Sequence, residues 1–149
     1  MGFSPEDPEY ESRTRASFAR QGIMAHLGAV LDAVEPGRVT IGLPFRAELS
    51  QQHGFFHAGV ISTIADSAGG YAAFTLFPAD SAVLTVEFKV NLMAPADGER
   101  AIAVGEVIRS GRSVTVCRLD AWVERAGRRT HCATGLQTMM RVVGRGLVD

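Results

Sequence analysis

The sequence predicts an α+β domain in which one antiparallel sheet wraps around one long central helix, with an extra helix at the N-terminus. Three observations carry this. The run from Gly59 to Phe77 is small and apolar, exceeds three helical turns and holds a single charge, Asp66. The half of the chain after Pro78 is a succession of β-forming segments punctuated by hairpin signals. At 149 residues and 46% hydrophobic content, the chain is long and apolar enough to close one core around such a helix.

The elements follow in order. Asp7 and Pro8 read as an N-cap and first helical position, so a helix is expected from about Pro8 to Gln21. Residues before it, about 1–7, are expected to be flexible. Leu27 to Val34 and Arg38 to Phe45 read as two strands joined at Glu35-Pro36-Gly37. The central helix presents Val60, Ile61, Ile64, Ala65, Ala68 and Ala72 as its apolar face. Then come Ala82 to Leu92, Arg100 to Arg109, Ser113 to Glu124 and Arg129 to Val142, expected as a four-strand meander. Ser110-Gly111-Arg112 and Ala126-Gly127 are the hairpin signals. No repeat or linker divides the chain, so residues 1–149 are expected to form a single domain.

Composition excludes some function classes. A net charge of −1 gives no electrostatic basis for nucleic-acid binding. No apolar run approaches the roughly 20 residues of a membrane span, and the acidic N-terminus does not read as a secretory leader. Cys117 and Cys132 have neither metal-ligand nor redox-motif spacing and read as reduced core thiols of a cytoplasmic protein. No cluster with metal-site spacing, phosphate loop or nucleophile elbow occurs, so neither metal nor cofactor is expected.

The chemistry concentrates between Gln51 and Tyr71. A carboxylate in the middle of an uncharged helix is costly to bury unless it is paired or has a task. Gly59, Ser62, Thr63, Gly69 and Gly70 surround Asp66 on a small-sided face that leaves room for a substrate or a water. The adjacent glycines signal close approach of something: another backbone, a ligand, a second copy of the helix, or the sheet itself. Ser, Thr, Asp and Asn are absent from Phe55 to Gly59, so the first helical amides lack a standard cap. Those of Ala58 and Gly59 are open to a carbonyl oxygen, or are satisfied by water or by the His57 ring. His57 reads as fixing the turn more readily than as moving protons. Gln51 offers an amide to a carbonyl or a water.

Together these residues resemble a known family. Gln51-x-x-Gly54-x-x-His57-Ala58-Gly59, with Asp66 nine residues after the histidine, is similar to the signature of the hotdog-fold acyl-CoA thioesterases of the phenylacetate-degradation (PaaI-like) type. That signature reads Asn/Gln-x-x-Gly-x-x-His-Gly-Gly followed by a helical Asp. The strand beginning Thr85-Val-Glu-Phe-Lys-Val-Asn-Leu-Met-Ala-Pro and the hairpin Arg109-Ser-Gly-Arg112 also resemble the family, so the likeness runs from about Leu27 to Arg141.

The resemblance implies hydrolysis of an acyl-CoA to a free acid and CoA. It implies Asp66 as general base or nucleophile, and the Ala58 amide as the group polarising the thioester carbonyl. It gives Gln51 contact with water or substrate, and Thr85 a role in positioning water. Gly59 stands in the substrate-binding turn, and Arg109, Arg112, Arg125, Arg128 and Arg129, on or near the hairpin ends, are candidates for the CoA phosphates, Arg112 first among them. In the family the site forms across a dimer interface, so a homo-oligomer is implied, a dimer or a homotetramer built as a dimer of dimers. One departure stands out: Ala58 replaces the family's glycine, which is harmless only if φ there is negative. Two other functions fit the same fold: a hotdog hydratase or dehydratase, and a non-catalytic acyl-ligand binding protein.

Overall fold

The computed structural model describes residues 2–147 and 149. The chain runs α1 (Tyr10–Arg20), α2 (Gly22–Leu27), β1 (Val30–Glu35), β2 (Arg38–Pro44), a short 3₁₀ turn (Ala47–Leu49), α3 (Ala58–Phe74), β3 (Ser81–Leu92), β4 (Arg100–Ser110), β5 (Val114–Arg125) and β6 (Arg128–Val143). The six strands form one antiparallel sheet in the order β1-β2-β4-β5-β6-β3, and α3 lies across its inner face.

The extra N-terminal helix exists, but its first regular residue is Tyr10. Asp7 still receives a chain-start amide, accepting from Glu9 N at 2.9 Å. Of the segment expected to be flexible, Met1 lies outside the described residues. Within the rest, Asp7 is buried and paired with Arg13 at 3.0 Å, and Phe3 packs against the core. Arg13 also donates to the carbonyls of Phe77 and Pro78, both at 2.8 Å, which docks α1 on the end of α3.

Two expectations need correction. The segment expected as a strand from Leu27 begins as α2, which ends where Gly28 adopts φ 76°. That left-handed residue terminates the helix, and the strand starts at Val30. The expected four-strand meander is three strands, β4-β5-β6. β3 instead pairs with β6, and β4 pairs with β2. The reason is the connection between β3 and β4: residues 93–99, with Pro95 and Gly98, make a crossing rather than a hairpin. Three strand spacings are about 14 Å, within reach of seven extended residues.

The hairpin signals hold. Pro36-Gly37 joins β1 to β2, and Ala126-Gly127, both with positive φ, joins β5 to β6. The core lies between α3 and the sheet. Ile61, Ile64, Ala65, Ala68 and Ala72 are buried there against Ile41, Leu43, Leu119 and Met139. Contact is close where α3 crosses β4. A Cβ on Gly105 would lie 2.3 Å from Ala68 C and Gly69 N, so only glycine fits.

β3 is one edge of the sheet and leaves apolar side chains uncovered. It ends the sheet with no strand beyond it, and its residues Leu84, Val86 and Phe88 are 43–53% exposed.

Candidate active site

Two clefts contain four of the residues singled out by sequence, Asp66 and Thr85 in one and Gln51 and Ala58 in the other. The first opens beside the middle of α3. It measures about 230 Å³, and Asp66, Thr85, Gln21, Tyr71 and Arg20 are among the residues lining it. The second, about 470 Å³, lies at the start of α3 and includes Gln51, Phe55, Ala58, Met93 and Pro95 in its wall. They have no lining residue in common.

Asp66 projects from α3 towards β3 and β6. Its Oδ1 accepts from Thr85 Oγ1 at 2.7 Å and from Gln137 Nε2 at 2.6 Å. Its Oδ2 accepts no hydrogen bond from the described residues. Tying one oxygen fixes the carboxylate plane and leaves the second for a ligand. Thr85 is therefore brought to Asp66. Gln137 is a partner that the sequence reading missed. Its signal was present: in β6 it stands two residues from Gly135 and from Met139, on the strand face that turns inward.

One of the glycines beside Asp66 now has a reason. A Cβ on Gly69 would lie 1.9 Å from Gln137 Oε1 and 2.5 Å from Leu119 Cδ2. Gly69 thus answers to the sheet. Ser62 and Thr63 donate back to the Ala58 and Gly59 carbonyls at 2.9 and 2.7 Å, which occupies their hydroxyls within the helix.

Beyond Asp66 the first cleft is polar, and α1 supplies much of it. Ser17 Oγ and Gln21 Nε2 each lie 3.1 Å from the Tyr71 hydroxyl, and Ser67 Oγ donates to Gln21 Oε1 at 3.3 Å. Burial pushes the Tyr71 phenol above its ordinary value, against the opposing hydrogen bonds from Ser17 and Gln21. It is therefore a neutral hydroxyl at physiological pH. Arg20 stands at the rim without an ion-pair partner among the described residues.

At the start of α3, His57 is the missing cap. Its Nδ1 accepts from Gly59 N at 2.9 Å, and its carbonyl accepts from Val60 and Ile61. Ala58 N–H alone among these first amides has no acceptor among the described residues. It sits at the positive end of the helix dipole, and Ala58 lines the second cleft. Ala58 is not among the positive-φ residues, so the alanine is unstrained there. Gln51 lines the same cleft, with its side-chain oxygen accepting from His53 N.

The cationic groups divide by position. Arg109 and Arg112 sit at the β4–β5 hairpin, beside Arg141, whose guanidinium lies over Phe77 at the far end of α3. Within one chain they reach neither cleft. Arg125 and Arg128 instead line a groove continuous with the Ala58 cleft through Phe55, Ala94 and Pro95. Arg125 is paired there with Asp97.

Cys117 and Cys132 are free and buried, with burial pushing their thiols up to about 12 and about 11. Among the described residues there is no group of His, Cys, Asp and Glu that could hold a metal, and no helix is long and apolar enough to cross a membrane.

Comparison with known proteins follows the same lines. The family model described as "Thioesterase superfamily" matches residues 53–130, a span that includes His57, Ala58, Asp66 and Thr85. A crystal structure of a thioesterase family protein from Silicibacter pomeroyi is 50% identical, covers 91% of this chain and 99% of its own, and superposes with a TM-score of 0.89. The PaaI protein of the E. coli phenylacetic acid degradation operon shares the fold at 16% identity, with a TM-score of 0.82 over 91% of this chain and 95% of that one. A 1,4-dihydroxy-2-naphthoyl-CoA hydrolase of Listeria monocytogenes is 26% identical over 64% of this chain and 77% of its own length. Matches to curated relatives span 61% to 77% of those proteins. With its sheet wrapped around α3 and its motif inside the matched span, the chain has the hotdog fold and belongs to the thioesterase superfamily.

Proposed function

We propose that this protein is an acyl-CoA thioesterase whose active site is shared between two copies of the chain, Asp66 coming from one and the Ala58 amide from the other. The observation that carries this reading is the state of the Asp66 carboxylate: Oδ1 is held by two donors, and Oδ2 is free beside an open cleft.

The sharing rests on distance. Ala58 and Asp66 are eight residues apart on one helix, about 12 Å along its axis at the α-helical rise. A donor on the carbonyl oxygen and a base on the attacking water must both sit about 3 Å from the reacting group. One chain cannot satisfy both, but two can. The exposed apolar edge of β3, which carries Thr85, is the surface that a second copy would cover.

The steps then follow. The Ala58 N–H polarises the thioester carbonyl. Asp66 Oδ2 takes a proton from water, and the water oxygen bonds to the carbonyl carbon. The tetrahedral oxyanion is held by the Ala58 amide. Its collapse breaks the C–S bond, and the thiolate of CoA leaves with the proton from Asp66. Thr85 and the Gln51 amide orient the water and the substrate. The pantetheine arm runs along Phe55, Ala94 and Pro95, so the CoA phosphates meet Arg125 and Arg128. Arg109 and Arg112 can contribute only from the partner protomer. The kinship with a CoA hydrolase supports CoA as the carrier.

The test is a panel of phenylacetyl-, benzoyl-, butyryl-, hexanoyl- and octanoyl-CoA, read by release of free thiol, with an enoyl-CoA alongside. Thiol release is expected. Hydration of the enoyl-CoA without thiol release would assign a hydratase instead, and binding with neither reaction an acyl-ligand carrier.

A further inference from the structure

We infer that Gln137 is a positioning residue for the Asp66 carboxylate, reaching it past the side-chain-free Gly69. This rests on the reading of Asp66 as the base, and it concerns a residue outside the matched family span.

The starting point is an amide in an unfavourable place. Gln137 is fully buried, and its Oε1 has no hydrogen-bond partner. A buried unsatisfied carbonyl costs stability that an apolar side chain of the same length would not. The amide orientation is nevertheless dictated. Nε2 lies 2.6 Å from Asp66 Oδ1 and 3.1 Å from the Asp66 carbonyl oxygen. Both of those atoms are acceptors only, so the nitrogen must face them.

A second local cost converges on the same amide. Gly69 lies in the interior of α3, where glycine weakens a helix relative to alanine. An alanine there would bring its Cβ to 1.9 Å from Gln137 Oε1. The unsatisfied carbonyl does not improve packing, and the glycine makes room for this amide as well as for Leu119 of β5. Both are accounted for if the amide must reach Asp66.

What the amide does there is geometric. It bridges the backbone carbonyl and the side-chain carboxylate of one residue, which fixes the rotation of Asp66 about both of its side-chain bonds. Thr85 holds the same Oδ1 from the other side. With both donors on Oδ1, Oδ2 is held towards the cleft. With Thr85 alone, the carboxylate pivots about a single hydrogen bond.

The test uses the full chain and the fastest substrate of the acyl-CoA panel. Gln137→Met keeps the length and removes the donor. It should lower kcat by about 10-fold or more, the scale of a misplaced catalytic group, with KM within about twofold and a melting temperature equal to or above that of the parent. In an Asp66→Asn background the same substitution should cost nothing further, because Gln137 acts through Asp66. Gly69→Ala, which crowds the amide and also Leu119, should reproduce the kcat loss, and Gln137→Leu, which removes the donor at that site, serves if Gln137→Met does not fold. Parental kcat in any of these folded variants, or an equal loss in both backgrounds, overturns the proposal. If Asp66→Asn alone is fully active, the base reading falls and the positioning role falls with it.

Discussion

At the scale of single residues, a charge without company was the strongest sign in the chain. Asp66 is the one charged side chain between Gly59 and Phe77, and the structure gives it two donors and a cleft. On the proposed mechanism Asp66→Asn should lower kcat by about 10²–10⁴, the range for a positioned acid or base. The fold should survive, since asparagine keeps the volume and an oxygen for Thr85. Near-parental turnover by a folded Asn variant would remove Asp66 from the chemistry. The cysteines help this measurement. Thiols held at about 12 and about 11 are almost entirely protonated at assay pH, so the native protein should contribute little background to a thiol-release readout. Asp66 was legible because an isolated polar residue breaks a one-dimensional pattern. The Asp66–Gln137 contact was not, because 71 residues separate the two and only the pairing of β6 beside β3 brings the amide under the helix.

At the scale of elements, α1, α3 and the hairpins followed from local signals; the short helix α2 was missed, and the strand order erred where tertiary pairing decides. Ala126-Gly127 and Pro36-Gly37 announce tight turns because their backbone geometry is demanding. No local signal reports that β3 crosses to the far edge of the sheet, since a strand reads the same whichever neighbour it has. The start of α3 is an intermediate case. The standard capping residues are missing, yet a histidine Nδ1 has the reach of a short side-chain oxygen and accepts from Gly59 N. His57→Ala should therefore cost about 1 kcal/mol, as the loss of a helix cap does, seen as a fall of about 2–4 °C in the melting temperature of a chain this size. His57→Asn should restore both stability and activity, because asparagine is itself a good cap. A stable Asn variant without activity would instead give the ring a direct part in the reaction.

At the scale of the whole molecule, two unfinished features belong together. The Ala58 amide and the Asp66 carboxylate stand in separate clefts, and β3 leaves a long apolar edge exposed. A second copy related by a two-fold axis would cover the edge and would bring each chain's Ala58 to the other's Asp66. The consequence can be measured by mixing two dead proteins. Ala58→Pro deletes the oxyanion donor and should lose about 10²–10³ in activity. It needs a check by circular dichroism and oligomer size, since proline also restricts the backbone. Asp66→Asn deletes the base. When the two variants exchange subunits freely, half of the dimers are mixed, and each mixed dimer pairs an intact Ala58 amide with an intact Asp66 at one of its two sites. Two-fold symmetry therefore predicts recovery of about a quarter of the parental activity. If both groups served the same chain's site, every site in the mixture would lack one of them, and exchange would recover nothing. Recovery near a quarter together with light scattering at the mass of a dimer or larger would establish the shared site. Full exchange without recovery would confine the reaction to a single chain and return the oxyanion contact to a donor near Asp66.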